Sequence, residues 1–175
     1  MMPSPTNQHT LRTRRLTASA MFAALALIFS YIEAILPVNV GIPGVKLGLA
    51  NLIIIIALYE LDLRYAFFIN LIRICLAGFM FTGFFAMLYS LAGGMVSLAV
   101  MALLKKSGRF SMIGVSMAGG VAHNFGQLLI ASFVVSNIKM FLYFPILVFT
   151  GIGAGIGIGI VAWVVDQRLP KALFR

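Results

Sequence analysis

Acidic side chains are nearly missing from this chain of 175 residues: there are four, Glu33, Glu60, Asp62 and Asp166. Chemistry that holds Mg²⁺ on clustered aspartates has no residues here to use; Glu60 and Asp62 stand close together, but in a turn between two apolar runs. Cysteine is limited to Cys75, so no internal disulfide can form, and the two histidines, His9 and His123, provide no Cys/His set for a metal. Charge as a whole is scarce: 10% of residues are charged and 62% hydrophobic, against roughly 25% charged in a soluble domain. That leaves too little polar side chain to coat a water-soluble globule. The net charge of +9 would suggest nucleic acid in a soluble protein, but here the basic residues sit at the ends of apolar runs, as membrane orientation requires.

What is present is a series of long apolar runs. The expected fold is an all-α integral membrane protein with six transmembrane helices at about 16–36, 47–59, 65–83, 84–104, 112–136 and 141–165. A basic tail, 1–15, precedes the membrane domain, 16–165, and a second one, 166–175, follows it. The first run is too long for a signal-peptide h-region and no small-x-small cleavage site follows it. The boundary near Gly83 is marked by glycine and not by charge, and the second helix is short. With the N-terminus inside, the inner segments carry Arg12, Arg14, Arg15, Arg64, Lys105, Lys106, Arg109, Arg168, Lys171 and Arg175, and the outer ones only Lys46 and Lys139. Ten against two puts both termini in the cytoplasm.

The stretch GIGAGIGIGI at 151–160 has the alternation of a strand. A dinucleotide-binding loop is excluded, because the third glycine of each G-x-G-x-x-G frame is replaced by Ile156, Ile158 or Ile160. A lone strand cannot cross a bilayer with its backbone unpaired, so the glycines belong to a helix. Gly151, Gly155 and Gly159 then share one face and Gly153 and Gly157 a nearly opposite one, two small-xxx-small patterns suited to a helix packed by neighbours on both sides.

Polar groups within the apolar runs are the functional candidates. Arg73 lies near the middle of the third run, in INLIRICLAG, and faces either a ligand or an internal ion-pair partner such as Glu33. In GGVAHNFGQLL, His123 and Gln127 share a helix face, Asn124 and Gln127 are neighbours, and Gly119 and Gly120 leave space beside them. Glu33 ends the first helix; Pro37, Gly41, Pro43 and Gly44 make an ordered outer loop that also holds Asn39. Lys46 and Asn51 follow at the mouth of the second helix, Lys46 as an anion attractant or a snorkelling interfacial lysine. Ser90 and Ser97 either join the cavity or bond their own backbone.

These residues carry a resemblance. Six short helices, both termini inside, a structured first outer loop and ASAMFAALALIF resemble the substrate-binding S components of energy-coupling-factor (ECF) transporters. More narrowly, PGVKLGLANL, the intramembrane Arg73, SLAGGMVS and GGVAHNFGQLL resemble the Gx transporter family, which also carries the label heptaprenyl diphosphate synthase component I, over residues 16–165. The resemblance implies a bacterial cytoplasmic-membrane protein that captures a vitamin-like or isoprenoid/quinone-related small molecule from outside. Its binding residues would be Glu33, Asn39, Lys46, Asn51, Arg73, Ser90, His123, Asn124 and Gln127. Ala20 and Ala24, an AxxxA pair, would contact a transmembrane coupling subunit, and two ATPase subunits would supply the energy, because the chain has no Walker A sequence. No cofactor and no enzymatic activity are expected. The nickel and cobalt branch uses an N-terminal histidine where this chain has Met2, and so does not fit. The alternative is a non-transporting accessory subunit of an isoprenoid or quinone pathway.

Overall fold

The computed structural model describes residues 5–36 and 48–169, with side chains from Leu11 onward in the first helix. Every regular element in these residues is helical: α1 (Pro5–Ile35), α2 (Leu49–Glu60), α3 (Leu63–Ala77), α4 (Phe84–Ser107), α5 (Met112–Val135) and α6 (Phe144–Arg168). Five stretches are long and apolar enough to cross a membrane: 11–35, 63–82, 84–107, 112–135 and 138–168. The helical run of α1 reaches back to Pro5, so Arg12, Arg14 and Arg15 ride on the same helix as the apolar residues that follow. The expected outer loop, with Asn39 and Lys46, lies outside the described residues, as does Lys171.

α2 spans 12 residues, or about 18 Å at 1.5 Å per residue, well short of a hydrocarbon core of about 30 Å. It is nevertheless the axis of the bundle. Ile53, Ile54, Ile55, Ile56, Ala57 and Leu58 are all buried, which places apolar side chains against neighbours on every side. α1, α3 and α6 surround it. Lys105 at the end of α4 donates from Nζ to the Leu58 carbonyl at 2.6 Å, satisfying one of the carbonyls that a helix C-terminus leaves open. The same ammonium lies 5.0 Å from the centre of the Tyr59 ring, within cation–π range.

The unmarked boundary near residue 83 is a backbone event. After Ala77 the helix widens into a π-helical turn, Gly78–Thr82, and breaks at Gly83, whose φ of 84° suits glycine. At Gly78 the returning α4 comes so near that a Cβ would sit 2.6 Å from Met87 Sδ.

α5 and α6 make the closest helix pair. A Cβ on Gly120 would run into the Gly151 carbonyl oxygen, and one on Gly155 would fall 2.6 Å from Met117 Cα. Gly159 meets Ile113 Cα in the same way, at 2.8 Å. The backbones therefore touch along one stripe of α6, as the small-xxx-small spacing predicts. The expectation of a second packed face is corrected: Gly153 and Gly157 are exposed and a Cβ at either would meet nothing within 4 Å. The reason is topological, since α5 and α2 both lie on the other side of α6 and no further element of the described chain reaches round it.

Candidate polar cavity

All six helices contribute to one polar cavity of about 50 Å³, room for a few water molecules. α1 gives Glu33, the entry to α2 gives Gly48, Ala50 and Asn51, α3 gives Arg73 and α4 gives Ser90. α5 adds Gly120, His123 and Asn124, and α6 closes it with Thr150, Gly151, Ala154 and Ile158.

Arg73 is 7% exposed and is held by two amides. Asn70, one turn earlier on α3, accepts from Nη2 at 2.9 Å and from Nε at 3.1 Å through the same Oδ1. Asn51 Oδ1 on α2 accepts from Nη2 at 3.3 Å. Among the described residues no carboxylate is in ion-pair contact with Arg73; Glu33 acts on it electrostatically across the cavity. Among the described residues the two amides engage Nε and Nη2, and the two N–H groups of Nη1 can serve a further acceptor. A buried guanidinium hydrogen-bonded to neutral amides, with Glu33 acting on it only from across the cavity among the described residues, favours an incoming anionic group.

Glu33 has a structural task as well. Its Oε1 accepts from the Gly48 backbone N–H, tying the end of α1 to the entry of α2. Gly48 adopts a φ of 75° there, a left-handed conformation that glycine takes without strain. On the opposite wall, Asn124 Nδ2 donates to the Leu147 carbonyl at 2.7 Å, and Thr150 Oγ1 donates to the same carbonyl at 3.1 Å. This fixes the Asn124 amide with its nitrogen toward α6.

Of the candidate residues, the cavity unites Glu33, Asn51, Arg73, Ser90, His123 and Asn124. Gln127 is not among its walls. One turn further along α5, its Cγ packs against α4 where Gly93 provides the space. Ser97 likewise lies away from the cavity, buried beside Gly119. Asn39 and Lys46 fall outside the described residues. The sequence reading missed Asn70, although its place three residues before Arg73 puts both on one face of α3. It also missed Thr150 and the α6 wall, for which no sequence signal stood out among the glycines.

The remaining acidic residues sit at the far end of α2. Glu60, Asp62 and Asp166 all act electrostatically on Lys105. They are thus remote from the Arg73 cavity, and no group of three or more His, Cys, Asp or Glu suited to a metal occurs among the described residues.

An all-helical bundle with several membrane-length apolar helices closed around a buried arginine is the architecture of a multi-pass membrane protein. The family model for heptaprenyl diphosphate synthase component I matches residues 22–165, and the chain belongs to that family. No curated protein and no solved structure matches the chain.

Proposed function

We propose that the protein is the substrate-binding S component of an ECF-type uptake transporter, a six-span protein of the bacterial cytoplasmic membrane with both termini inside. The observation that carries this reading is the cavity centred on Arg73, a buried guanidinium whose hydrogen bonds among the described residues engage Nε and Nη2 and not Nη1. The substrate is a small vitamin-like or isoprenoid/quinone-related molecule with an anionic or strongly accepting group. Arg73 binds that group, Asn51, His123 and Asn124 orient the remainder, and Glu33 holds the mouth. Asn39 and Lys46 belong to the outer loop through which substrate enters.

Energy comes from a transmembrane coupling subunit and two ATPases. Ala20 and Ala24 suit the coupling contact because both are exposed, while Ala26 and the partly buried Ala23 of the same helix turn inward to the core. We read the chain as a non-enzyme, since three of its four carboxylates cluster away from the cavity.

The test is uptake in cells that express the chain with and without a coupling module, using as labelled substrate whatever small molecule native mass spectrometry finds co-purified. Ala20→Leu with Ala24→Leu should abolish uptake and leave that molecule bound to the isolated protein. Loss of both properties would assign this face to internal packing. The family's name supports a second reading, a membrane component that serves prenyl diphosphate synthesis without transport. Binding without coupling-dependent uptake would favour it.

A further inference from the structure

A second cavity, of about 410 Å³, opens on the outside of the bundle between α3 and α4. Its walls are Leu63, Phe67 and Phe68 of α3 and Met95, Leu98 and Ala99 of α4, with Arg64 the one charged residue. α3 and α4 pack closely where Gly94 meets Asn70 and Ile74 and where Gly78 meets Met87. The groove lies beyond that contact, toward the start of α3, where the small Ala99 faces Leu63, Phe67 and Phe68. Ala99 is exposed and too small to fill the gap, while Leu98 is buried and forms the floor. Phe67 and Phe68 stand edge to face, their ring centroids 5.5 Å apart, as one flank.

Charge decides what such a groove accepts. Arg64 is exposed in the first turn of α3, at the end of the bundle that also carries Lys105, Lys106, Arg109 and Arg168. Lys106 follows Ala99 by seven residues, two helical turns, and so continues the groove-lining face of α4 toward that end. Glu60, Asp62 and Asp166 share that end and act on Lys105, whose ammonium turns inward to the Leu58 carbonyl. With the exposed Arg64 and Lys106 at its polar end, the groove is a carbon-walled slot complementary to an acyl chain beneath a negatively charged headgroup. We propose that the α3–α4 groove is a specific site for an anionic phospholipid, with Arg64 on the headgroup phosphate and the acyl chain against Phe67, Phe68, Met95 and Ala99. The larger apolar hollow around Phe110, Met117, Phe125 and Phe144 has no charged residue among its walls.

The site can be tested without knowing the transported substrate. The full chain would be purified in detergent and exposed to equimolar phosphatidylglycerol and phosphatidylcholine with identical acyl chains, and retained lipid read by native mass spectrometry. The wild type should retain phosphatidylglycerol over phosphatidylcholine by about fivefold, the contribution of one arginine near a headgroup. Arg64→Ala should bring the two lipids to parity. Ala99→Phe, which fills the slot from an exposed position, should reduce retention of both. Equal retention of the two lipids by the wild type, or an unchanged preference in Arg64→Ala, overturns the proposal. A change of oligomeric mass in Ala99→Phe with lipid retention unaltered also overturns it and assigns the groove to a second helix.

Discussion

Asn70 and Arg73 are joined twice, through one amide oxygen that accepts from both Nε and Nη2 of the guanidinium. The arginine is thus aimed from its own helix, before any ligand arrives, and Asn70 is itself 1% exposed. Such a pair makes the orientation of a buried charge a local property of α3.

Replacing Asn70 with leucine should destabilise the ligand-free protein by about 1.5–3 kcal/mol, the worth of a hydrogen bond to a charged group. Asn70→Asp should restore the melting temperature, because it puts a carboxylate beside the guanidinium, yet weaken binding of an anionic ligand that must then compete. Thermal unfolding in detergent checks the first statement and retention of the co-purified molecule the second. A leucine variant that melts like the wild type would remove Asn70 from the account.

Arg73→Lys should weaken ligand binding by about 1.5–3 kcal/mol, since a compact ammonium lacks the planar fork that engages Asn70 through Nε and Nη2 while presenting Nη1 elsewhere. Gln127→Ala, off the cavity wall, should leave affinity within about twofold. The rise in melting temperature caused by ligand reports both. If Gln127→Ala costs as much as Arg73→Lys, the cavity extends further along α5 than its present walls.

The two glycine stripes of α6 provide an internal control. Gly155→Ala drives a methyl group into Met117 Cα and should cost about 1–3 kcal/mol as an overpacked contact. Gly157→Ala meets open space and should stabilise the helix by up to about 1 kcal/mol through propensity alone. Opposite shifts in melting temperature are expected. Equal destabilisation by the two changes would mean that the outer stripe is covered in the purified protein.

The proposed orientation rests on the distribution of basic residues. In a Cys75→Ala background, single cysteines at Asn7 and Lys171 should be labelled only from the cytoplasmic side and one at Asn39 only from outside. Labelling of Lys171 from outside would overturn the six-span count.

Hydropathy made the helices legible because each apolar run is interrupted by charge, proline or glycine; even Gly83, with no charge beside it, marks a real break. The cavity was legible for a related reason. Arg73, His123 and Asn124 are conspicuous in apolar surroundings, and the fold gathers them with Glu33, Asn51 and Ser90. Other features depend on tertiary arrangement. Asn70 looks like any amide until its oxygen is seen on the guanidinium. Gln127 has the helical spacing for the cavity and loses its place because α4 arrives at Gly93. Nor can periodicity say which of two equivalent glycine stripes will find a neighbour.

The seam between Gly120 and Gly151 has a mechanical consequence. Where backbone meets backbone no side chain is available to rotate aside, so α5 and α6 form a stiff plank carrying His123, Asn124 and Thr150 on its edge. A cavity of about 50 Å³ is too small for a vitamin-sized molecule, and widening it cannot come from parting that plank. Across from the plank, among the described residues, the Gly48 N–H to Glu33 hydrogen bond links α1 to the entry of α2. Under the proposed function, it is on that side, against the α5–α6 plank, that the cavity would have to widen.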